Sequence, residues 1–396
     1  MRRITLLGIF IFTFSIVFGC SPNRKNKNTT PEEVKFKKYL LDSRFRSEAA
    51  ATGDVNKDGK IDVMSGEVWY AAPDWKMHEV QKPGKYKARK GYSETFGQFA
   101  FDANGDGWVD VITSNMQNKP IRWFENPQNK KGHWKEHIGF RNTANETIVA
   151  GKLLGDNKIV PVFGVQPEGY IGWFDIDVEY GKQWKMHIID GPKAPASEKY
   201  SHGLGLGDMN SDGRMDVVCT KGWWEAPENP KEADWTFHKV GLGPDCSDML
   251  VYDVDGDGDS DVISSSAHKH GVWWHENTDG KATTFKQHLI YDKVSQTHAM
   301  RLADINNDGI MDFVTGKRYY AHNGKDIGAE EPAIIFWMEI KRSETGPEFI
   351  YHEIDNDSGI GTQFDVVDLN NDNKPDIVVA NKKGVFVFKQ EVEIEN

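Results

Sequence analysis

Six nine-residue segments share one pattern: DVNKDGKID (54–62), DANGDGWVD (102–110), DMNSDGRMD (208–216), DVDGDGDSD (253–261), DINNDGIMD (304–312) and DLNNDNKPD (368–376). Asp or Asn stands at positions 1, 3, 5 and 9 of every copy. Position 6 is Gly in five copies and Asn in the sixth, and both tolerate a left-handed backbone. So much oxygen in so short a turn suits a hard divalent cation, and Ca2+ takes six to eight oxygen ligands. The expected ligands are Asp54, Asn56, Asp58 and Asp62; Asp102, Asn104, Asp106 and Asp110; Asp208, Asn210, Asp212 and Asp216; Asp253, Asp255, Asp257 and Asp261; Asp304, Asn306, Asp308 and Asp312; and Asp368, Asn370, Asp372 and Asp376. The loop is shorter than an EF-hand and closes on Asp at position 9. Its flanks, such as VMSGEVWY and VISSSAHKHGVWW, show no helical period. Ca2+ is favoured over Mg2+ because protein oxygens are so abundant, which allows up to six structural sites.

Two further repeats run between the acidic loops. One is aromatic-x-x-His: Trp75…His78, Trp134…His137, Trp184…His187, Trp235…His238, Phe285…His288 and Phe349…His352. The other is an aromatic pair: Trp69-Tyr70, Trp123-Phe124, Trp173-Phe174, Trp223-Trp224, Trp273-Trp274 and Phe336-Trp337. Recurring in fixed order, they imply about four strands per repeat, which is a propeller blade. The histidines follow the blade and read as structural. Between loops 102 and 208, ETIVAGKLLGDNKIVPVFGV keeps the strand pattern without the acids. It is a blade whose loop has decayed, and the count becomes seven. The last loop has no aromatic-x-x-His after it, but Phe36-Lys37-Lys38-Tyr39 near the other terminus carries a close variant. Residues 36–41 are therefore expected to supply the outer strand of the last blade. The fold class is all-β: a seven-bladed β-propeller of four-stranded blades closed by the N-terminal strand. These segments resemble the FG-GAP/VCBS repeats of calcium-binding propellers such as integrin alpha heads. That resemblance implies fold and metal, and leaves activity open.

The chain begins MRRITLLGIFIFTFSIVFGC. Arg2 and Arg3 precede an apolar stretch that is too short to span a membrane comfortably. Val17-Phe18-Gly19-Cys20 resembles a bacterial lipobox, which implies lipidation at Cys20. The expected organisation is a lipoprotein signal peptide (1–19), a polar tether (20–35) and the propeller (36–396). The protein is then exported and lipid-anchored in the bacterial cell envelope. Cys219 and Cys246 remain, and they could pair or stay as buried thiols. A formal charge of −12 without a basic stripe argues against nucleic acid.

Because the acidic loop joins the first strand of a blade to the second, chemistry would gather at the opposite end of the inner strands. Six residues before each loop stand Glu48, Phe96, His202, Ser247, His298 and Thr362, with Glu146 aligned in the decayed blade. Glu94, Asp248, Arg301 and Gln363 lie close in sequence. The loops between second and third strands add Lys221, His268, His270, Lys317, Arg318, Tyr319, Tyr320 and His322. His202 and His298 depart from what five other blades place there. They are the candidate acid/base pair, because imidazole titrates near neutral pH. Lys317 and Arg318 are candidate clamps for an enolate or carboxylate, and Tyr319 is a candidate acid. Lys221, Trp223 and Tyr320 are candidate sugar contacts, with Glu48, Glu94, Glu146, Asp248, His268, Arg301, His322 and Gln363 around them.

SHGLGLGDMNSDGRMDVVCTKGWWEAP and DFVTGKRYYAHNG are similar to the propeller domains of aldos-2-ulose dehydratases. The resemblance implies elimination of water from a keto-sugar, although those enzymes also carry cupin domains that this chain lacks. The same groups could serve a lyase acting on uronic-acid glycans. The alternative from another class is a non-catalytic glycan- or protein-binding module. No G-x-S-x-G elbow supports nucleophilic catalysis.

Overall fold

In the computed structural model, residues 33–116, 119–176, 182–233 and 235–391 are described. The expected export signal, Cys20 and most of the expected tether lie outside them. Val34–Asn396 forms one compact unit. It contains seven separate four-stranded antiparallel sheets. Blade I comprises Ala51–Gly53, Asp62–Ser65, Val68–Ala71 and Lys76–Glu79. Blades II to VI span 97–140, 149–190, 204–239, 250–295 and 300–355. Blade VII takes Asp365–Val367, Asp376–Asn381 and Gly384–Glu391 from the C-terminal end, and its outer strand is Lys35–Asp42. That outer strand pairs antiparallel with the last one, Phe36 opposite Gln390 and Leu40 opposite Phe386. Closure by the N-terminal strand is therefore as the sequence predicts, and it removes an open edge.

The acidic segments form the turns between the first and second strands, and each ninth residue opens the second strand. That ninth carboxylate is buried in all six blades and accepts two backbone N–H groups. Asp62 accepts from Val55 and Ala72, Asp110 from Ala103 and Asn126, and Asp216 from Met209 and Ala226. Asp261 accepts from Val254 and Asn277, Asp312 from Ile305 and Ile340, and Asp376 from Leu369 and Gln390. One donor begins the acidic turn; the other lies in the second half of the third strand or just past it. In the decayed blade III the second strand opens on buried Val160 instead.

The aromatic repeats meet across the third and fourth strands. Each repeat histidine stacks on a tryptophan: Trp69–His78, Trp123–His137, Trp173–His187, Trp223–His238, Trp274–His288 and Trp337–His352. Their ring centroids lie between 4.0 and 4.5 Å apart. His238 and His352 also hydrogen-bond Glu225 and Glu339 on the facing strand, each at 2.8 Å. These histidines are sheet furniture, as their periodicity implies. Between blades the faces are apolar: one cluster joins Trp223 of blade IV, Ile263 and Trp274 of blade V, and Phe313 and Phe336 of blade VI. Cys219 and Cys246 are both free and buried, and burial pushes each thiol up to about 12.

A charged clasp completes the closure. Asp42, at the end of the N-terminal strand, accepts from Arg46 Nε at 2.8 Å, from the Arg44 guanidinium, and from the Tyr70 hydroxyl of blade I at 3.0 Å. Burial works to raise the Asp42 carboxyl, but the Arg44 and Arg46 hydrogen bonds outweigh it and hold the pKa at about 2, against an ordinary 3.8. A depressed carboxyl stabilises the fold above its unfolded pKa, and that contribution is lost as pH falls through the folded value. Asp42→Asn should therefore cost about 2 kcal/mol at neutral pH. The deficit against wild type should shrink as pH falls from 3.8 towards 2, read by denaturant unfolding across that range. A deficit that does not vary with pH would show that Asp42 holds the ring by packing alone.

Candidate functional site at the axis of the ring

The inner strands run from a laced end to the acidic turns. At the laced end, backbone hydrogen bonds connect neighbouring entry segments: Glu48 N–H to Thr95 O, Glu146 N–H to Ser201 O, Ser247 N–H to His298 O, and Thr362 N–H to Glu48 O. The residues six before each turn therefore occupy one ring of equivalent positions, and their side chains converge on the axis.

Arg318 holds that convergence together. Its side chain has no exposed surface, and Nη1 lies 2.6 Å from Glu146 Oε1 and 2.9 Å from His298 Nε2. Nε lies 3.8 Å from Glu48 Oε2, and the guanidinium packs over Phe96 at 5.5 Å and Tyr92 at 5.8 Å. On the other side of Glu48, Lys382 Nζ stands 3.2 Å from Oε1 and 4.3 Å over the Tyr92 ring. His202 Nε2 faces Glu146 Oε2 at 3.4 Å, and its Nδ1 donates to the Tyr200 carbonyl at 2.7 Å. The His202 and His298 rings are 5.0 Å apart.

The two histidines differ electrostatically. Burial and the Arg318 charge hold His298 well below the usual imidazole range. A guanidinium can only donate, so His298 Nε2 is an acceptor and Nδ1–H bonds Ser247 Oγ. For His202, burial favours the neutral form, but the hydrogen bond and charge of Glu146 outweigh it and raise the pKa. Burial would raise the Glu146 carboxyl too, yet Arg318 and the histidines hold it well below the ordinary range. Two anions, Glu48 and Glu146, thus face Arg318, Lys382 and a readily protonated His202. Several buried polar atoms here lack a well-formed hydrogen bond: Arg318 Nε and Nη2, both Glu48 carboxylate oxygens, and His202 Nε2, which faces Glu146 only at 3.4 Å.

A second trio lies outward from His202. The His268 ring is 5.1 Å from His202 and 4.8 Å from His322. Both outer histidines face Asp326, from His268 Nδ1 at 3.3 Å and from His322 Nδ1 at 2.9 Å. Deeper along the axis, Asp248, Arg301 and Gln363 line a cavity of about 330 Å3, with Arg301 Nη1 2.8 Å from Asp248. A larger cavity, about 770 Å3, lies at the edge of blades I and II around Trp69, His78 and His133, and shares no residue with the axial cluster.

The sequence thus names most of the cluster: Glu48, Glu146, His202, His298 and Arg318, with His268 and His322 outside it. Other candidates stand elsewhere. Trp223 is 1% exposed, stacked on His238 and donating to the Ala282 carbonyl, so it is blade core and cannot be a sugar platform. Lys317 is buried and turned away from the axis, with Nζ on Ser295 Oγ at 2.8 Å and on the Gly328 carbonyl. Tyr319 lies against Lys383, and Tyr320 under Arg89. Lys221 pairs with Glu198 on the exposed rim, Glu94 is a rim residue bonded to Asn115, and His270 pairs with Glu331. Lys382, Tyr92 and Asp326 carry the site without having been singled out for it, and Ser247 was named only as a position of the ring. Lys382 occupies the same turn of blade VII that supplies Lys221 and Arg318 in theirs, which is the signal that could have found it.

Fold and site define a seven-bladed propeller with a buried ion cluster at the end opposite its acidic turns. Residues 253–315 match the FG-GAP-like repeat family. No curated protein matches the sequence. Among solved structures, the chain is similar to an exotype rhamnogalacturonan lyase, YesX (14% identity, 88% of this chain and 73% of that one, TM-score 0.47). A Bacillus licheniformis rhamnogalacturonan lyase is 11% identical over 91% of this chain and 76% of its own, with a TM-score of 0.47. The N-terminal part of BBS1, solved with ARL6, is 8% identical over 92% and 98%, with a TM-score of 0.51. At such identities the likeness is one of fold.

Removing the buried cation tests the cluster itself. Arg318→Gln should destabilise the protein by about 3 kcal/mol, because Glu146 and Glu48 lose their partner inside the ring. Adding Glu146→Gln should restore part of that loss in a double-mutant cycle measured by chemical unfolding. Strict additivity would mean that the two groups are not coupled.

Proposed function

We propose that this propeller is a carbohydrate-active carbon–oxygen lyase, performing β-elimination on a keto-sugar or a uronic-acid-containing glycan. The observation that carries the reading is the buried Arg318 Nη2, a donor without a partner, beside the Glu146–His202 pair. Buried donors without partners are scarce in folded proteins and call for an oxygen-rich ligand or ordered water. A carbonyl or carboxylate oxygen placed on Arg318 Nη2 would be stabilised as negative charge develops.

His202 is the group for proton transfer. With Nδ1–H committed to the Tyr200 carbonyl, Nε2 is the atom that gains or loses a proton. In its neutral form Nε2 takes the proton alpha to the carbonyl, the carbon–carbon double bond forms, and the carbon–oxygen bond breaks. The proton then leaves with the departing oxygen. Glu146 orients the ring and favours its protonated form; His298, held neutral, positions Arg318. His268 and Tyr92 lie against His202 and Arg318 respectively, and are the rings a ligand must displace.

Keto-sugars and uronic-acid glycans should yield ultraviolet absorbance from a new conjugated double bond. His202→Gln should reduce that rate at least ~100-fold. Glycan binding with no absorbance change from any of these substrates would replace the lyase with the binding-module reading.

We further infer that the acidic turns hold structural Ca2+. Asp253, Asp255 and Asp257 converge within 4.8 Å, and a fourth carboxylate, Asp259, has a buried oxygen without a partner. Burial and the three neighbouring carboxylates push Asp259 up to about 6, a repulsion that a cation would relieve. Chelation should lower the melting temperature and excess Ca2+ should restore it, whereas Mg2+ should restore less. A melting temperature indifferent to chelator would dismiss the metal. Export and lipid anchoring through Cys20 complete the proposal, which places the ring in the bacterial cell envelope.

A further inference from the structure

We propose that the cavity between blades I and II is a second binding site, remote from the axis. It takes the carboxylate of a uronic-acid sugar residue where blade I lacks an acid that the other blades carry.

In five blades the residue two places after the stacking tryptophan is acidic: Glu125, Asp175, Glu225, Glu276 and Glu339. Four of these acids hold the histidine of their own blade. His137, His238 and His352 are bonded at 2.8 Å, and His288 at 2.6 Å. Blade I has Ala71 at this position. His78 still stacks on Trp69 at 4.4 Å, but among the described residues no side chain hydrogen-bonds its ring. Burial and the Lys76 charge hold the imidazole below its ordinary range.

The shortened side chain borders open space. The cavity of about 770 Å3 is lined by Trp69, Ala71 and His78 from blade I, and by Asn126, His133 and Trp134 from the loop of blade II. Small-molecule sites commonly enclose about 300–1,000 Å3. The walls are fixed in advance. Asn126 and Asn129 donate to the Val55 and Asn56 carbonyls at 2.8 and 2.9 Å, and the Trp134 N–H donates to the Val80 carbonyl at 2.9 Å. Trp173 and Trp223 donate their indole N–H to the Pro230 and Ala282 carbonyls of the following blade. The Trp69 indole N–H has no such partner among the described residues.

Charge selects the ligand. Lys130, Lys131 and His133 border the cavity, and Glu79 is the one acid among its lining residues. His133 already engages Glu79 at 2.9 Å. An entering carboxylate therefore meets cations, and it supplies the imidazole partner that other blades build in. Hydrogen bonds to an ionised acceptor are roughly twice as strong as neutral ones. A lone acidic side chain would fill only a small part of the volume. A sugar acid brings the carboxylate together with hydroxyls for the indole N–H and the asparagine-lined wall. The site rests on this geometry alone. Only its use, holding an acidic residue of the glycan cleaved at the axis, rests on the elimination reading.

The test is calorimetric titration of the full propeller with galacturonate, in excess Ca2+ so that the acidic turns are filled. Ala71→Glu restores the carboxylate of the repeat, and a tethered group outcompetes a free one. It should remove one site per chain without lowering the melting temperature. His78→Phe keeps a ring on Trp69 but removes the nitrogens, and should weaken that site at least ~10-fold. His202→Gln should leave it intact. Galactose lacks the carboxylate and succinate lacks the sugar ring, so each should bind at least ~10-fold more weakly. No binding of galacturonate, or a site unaffected by both blade I variants, would overturn the proposal. Loss of the site in His202→Gln alone would do so too, by moving the ligand to the axis. Galactose binding as tightly would remove the carboxylate from the argument, and succinate binding as tightly would remove the sugar. Galacturonate held at this site without elimination of any glycan would sink only the proposed use.

Discussion

A carboxylate buried against two backbone amides is the constraint from which the ring follows. The ninth residue of each acidic segment supplies one oxygen to the N–H that starts its turn and the other to an N–H in the second half of the third strand or just past it. Only Asp does this at that reach, since Asn would turn an NH2 towards an N–H donor. The arrangement carries an electrostatic cost. Burial, with nearby acids adding to it, pushes Asp110, Asp216, Asp261 and Asp312 up to about 7 against the pull of their two amides. Blade III shows the alternative: Val160 replaces the carboxylate, and Lys152 and Leu154 take positions 1 and 3, so that only Asp156 at position 5 remains of the acids. Strand pairing and apolar packing suffice for a blade there, and the buckle disappears together with most of the acids. That joint loss is what a shared electrostatic purpose would produce.

Fixing one end of each short inner strand leaves the other to carry chemistry. Inner strands of three to five residues separate the acidic turns from the laced ends by roughly 10–17 Å. Backbone hydrogen bonds secure the laced end, so the side chains there are free to differ between blades. They become Glu, Phe, Glu, His, Ser, His and Thr around one axis. Arg318 then reaches across the opening to touch four of the seven. A guanidinium without exposed surface is tolerable only because Glu146, Glu48 and two aromatic faces surround it. The cluster that looks reactive is therefore also what closes the axis.

The fold was legible because the repeat states it three times over, in acids, in aromatic pairs and in histidines. Even the borrowed outer strand betrayed itself through Phe36 and Tyr39. His202 and His298 were legible for the opposite reason, as departures from a register the other blades obey. The failures trace to strand geometry. Lys317 and Arg318 are neighbours at a strand exit, where successive side chains point to opposite faces, so only one could reach the axis. Trp223 belongs to a stacked cross-strand pair, and its blade position decided its fate over its chemical appeal. Lys382 was hidden in a two-residue turn too short to look like a functional insertion. Asp326 and Tyr92 reach their partners through loops whose course no periodicity records.

The placement of charge gives the molecule a direction. The aspartates of the repeat stand in turns at one end of the inner strands. Arg318, Lys382 and a His202 inclined to protonation stand at the other. Fields from separated charges of this kind steer small ions over distances of about a Debye length, some 8–10 Å at moderate salt. Glu48 and Glu146 keep that steering from becoming indiscriminate: they already pair both fixed cations, so a ligand must offer oxygens to the particular donors those carboxylates leave open. Selectivity at this axis is thus a matter of which N–H groups remain unpaired, and the seven-fold scaffold decides that by where each entry segment lets its side chain fall.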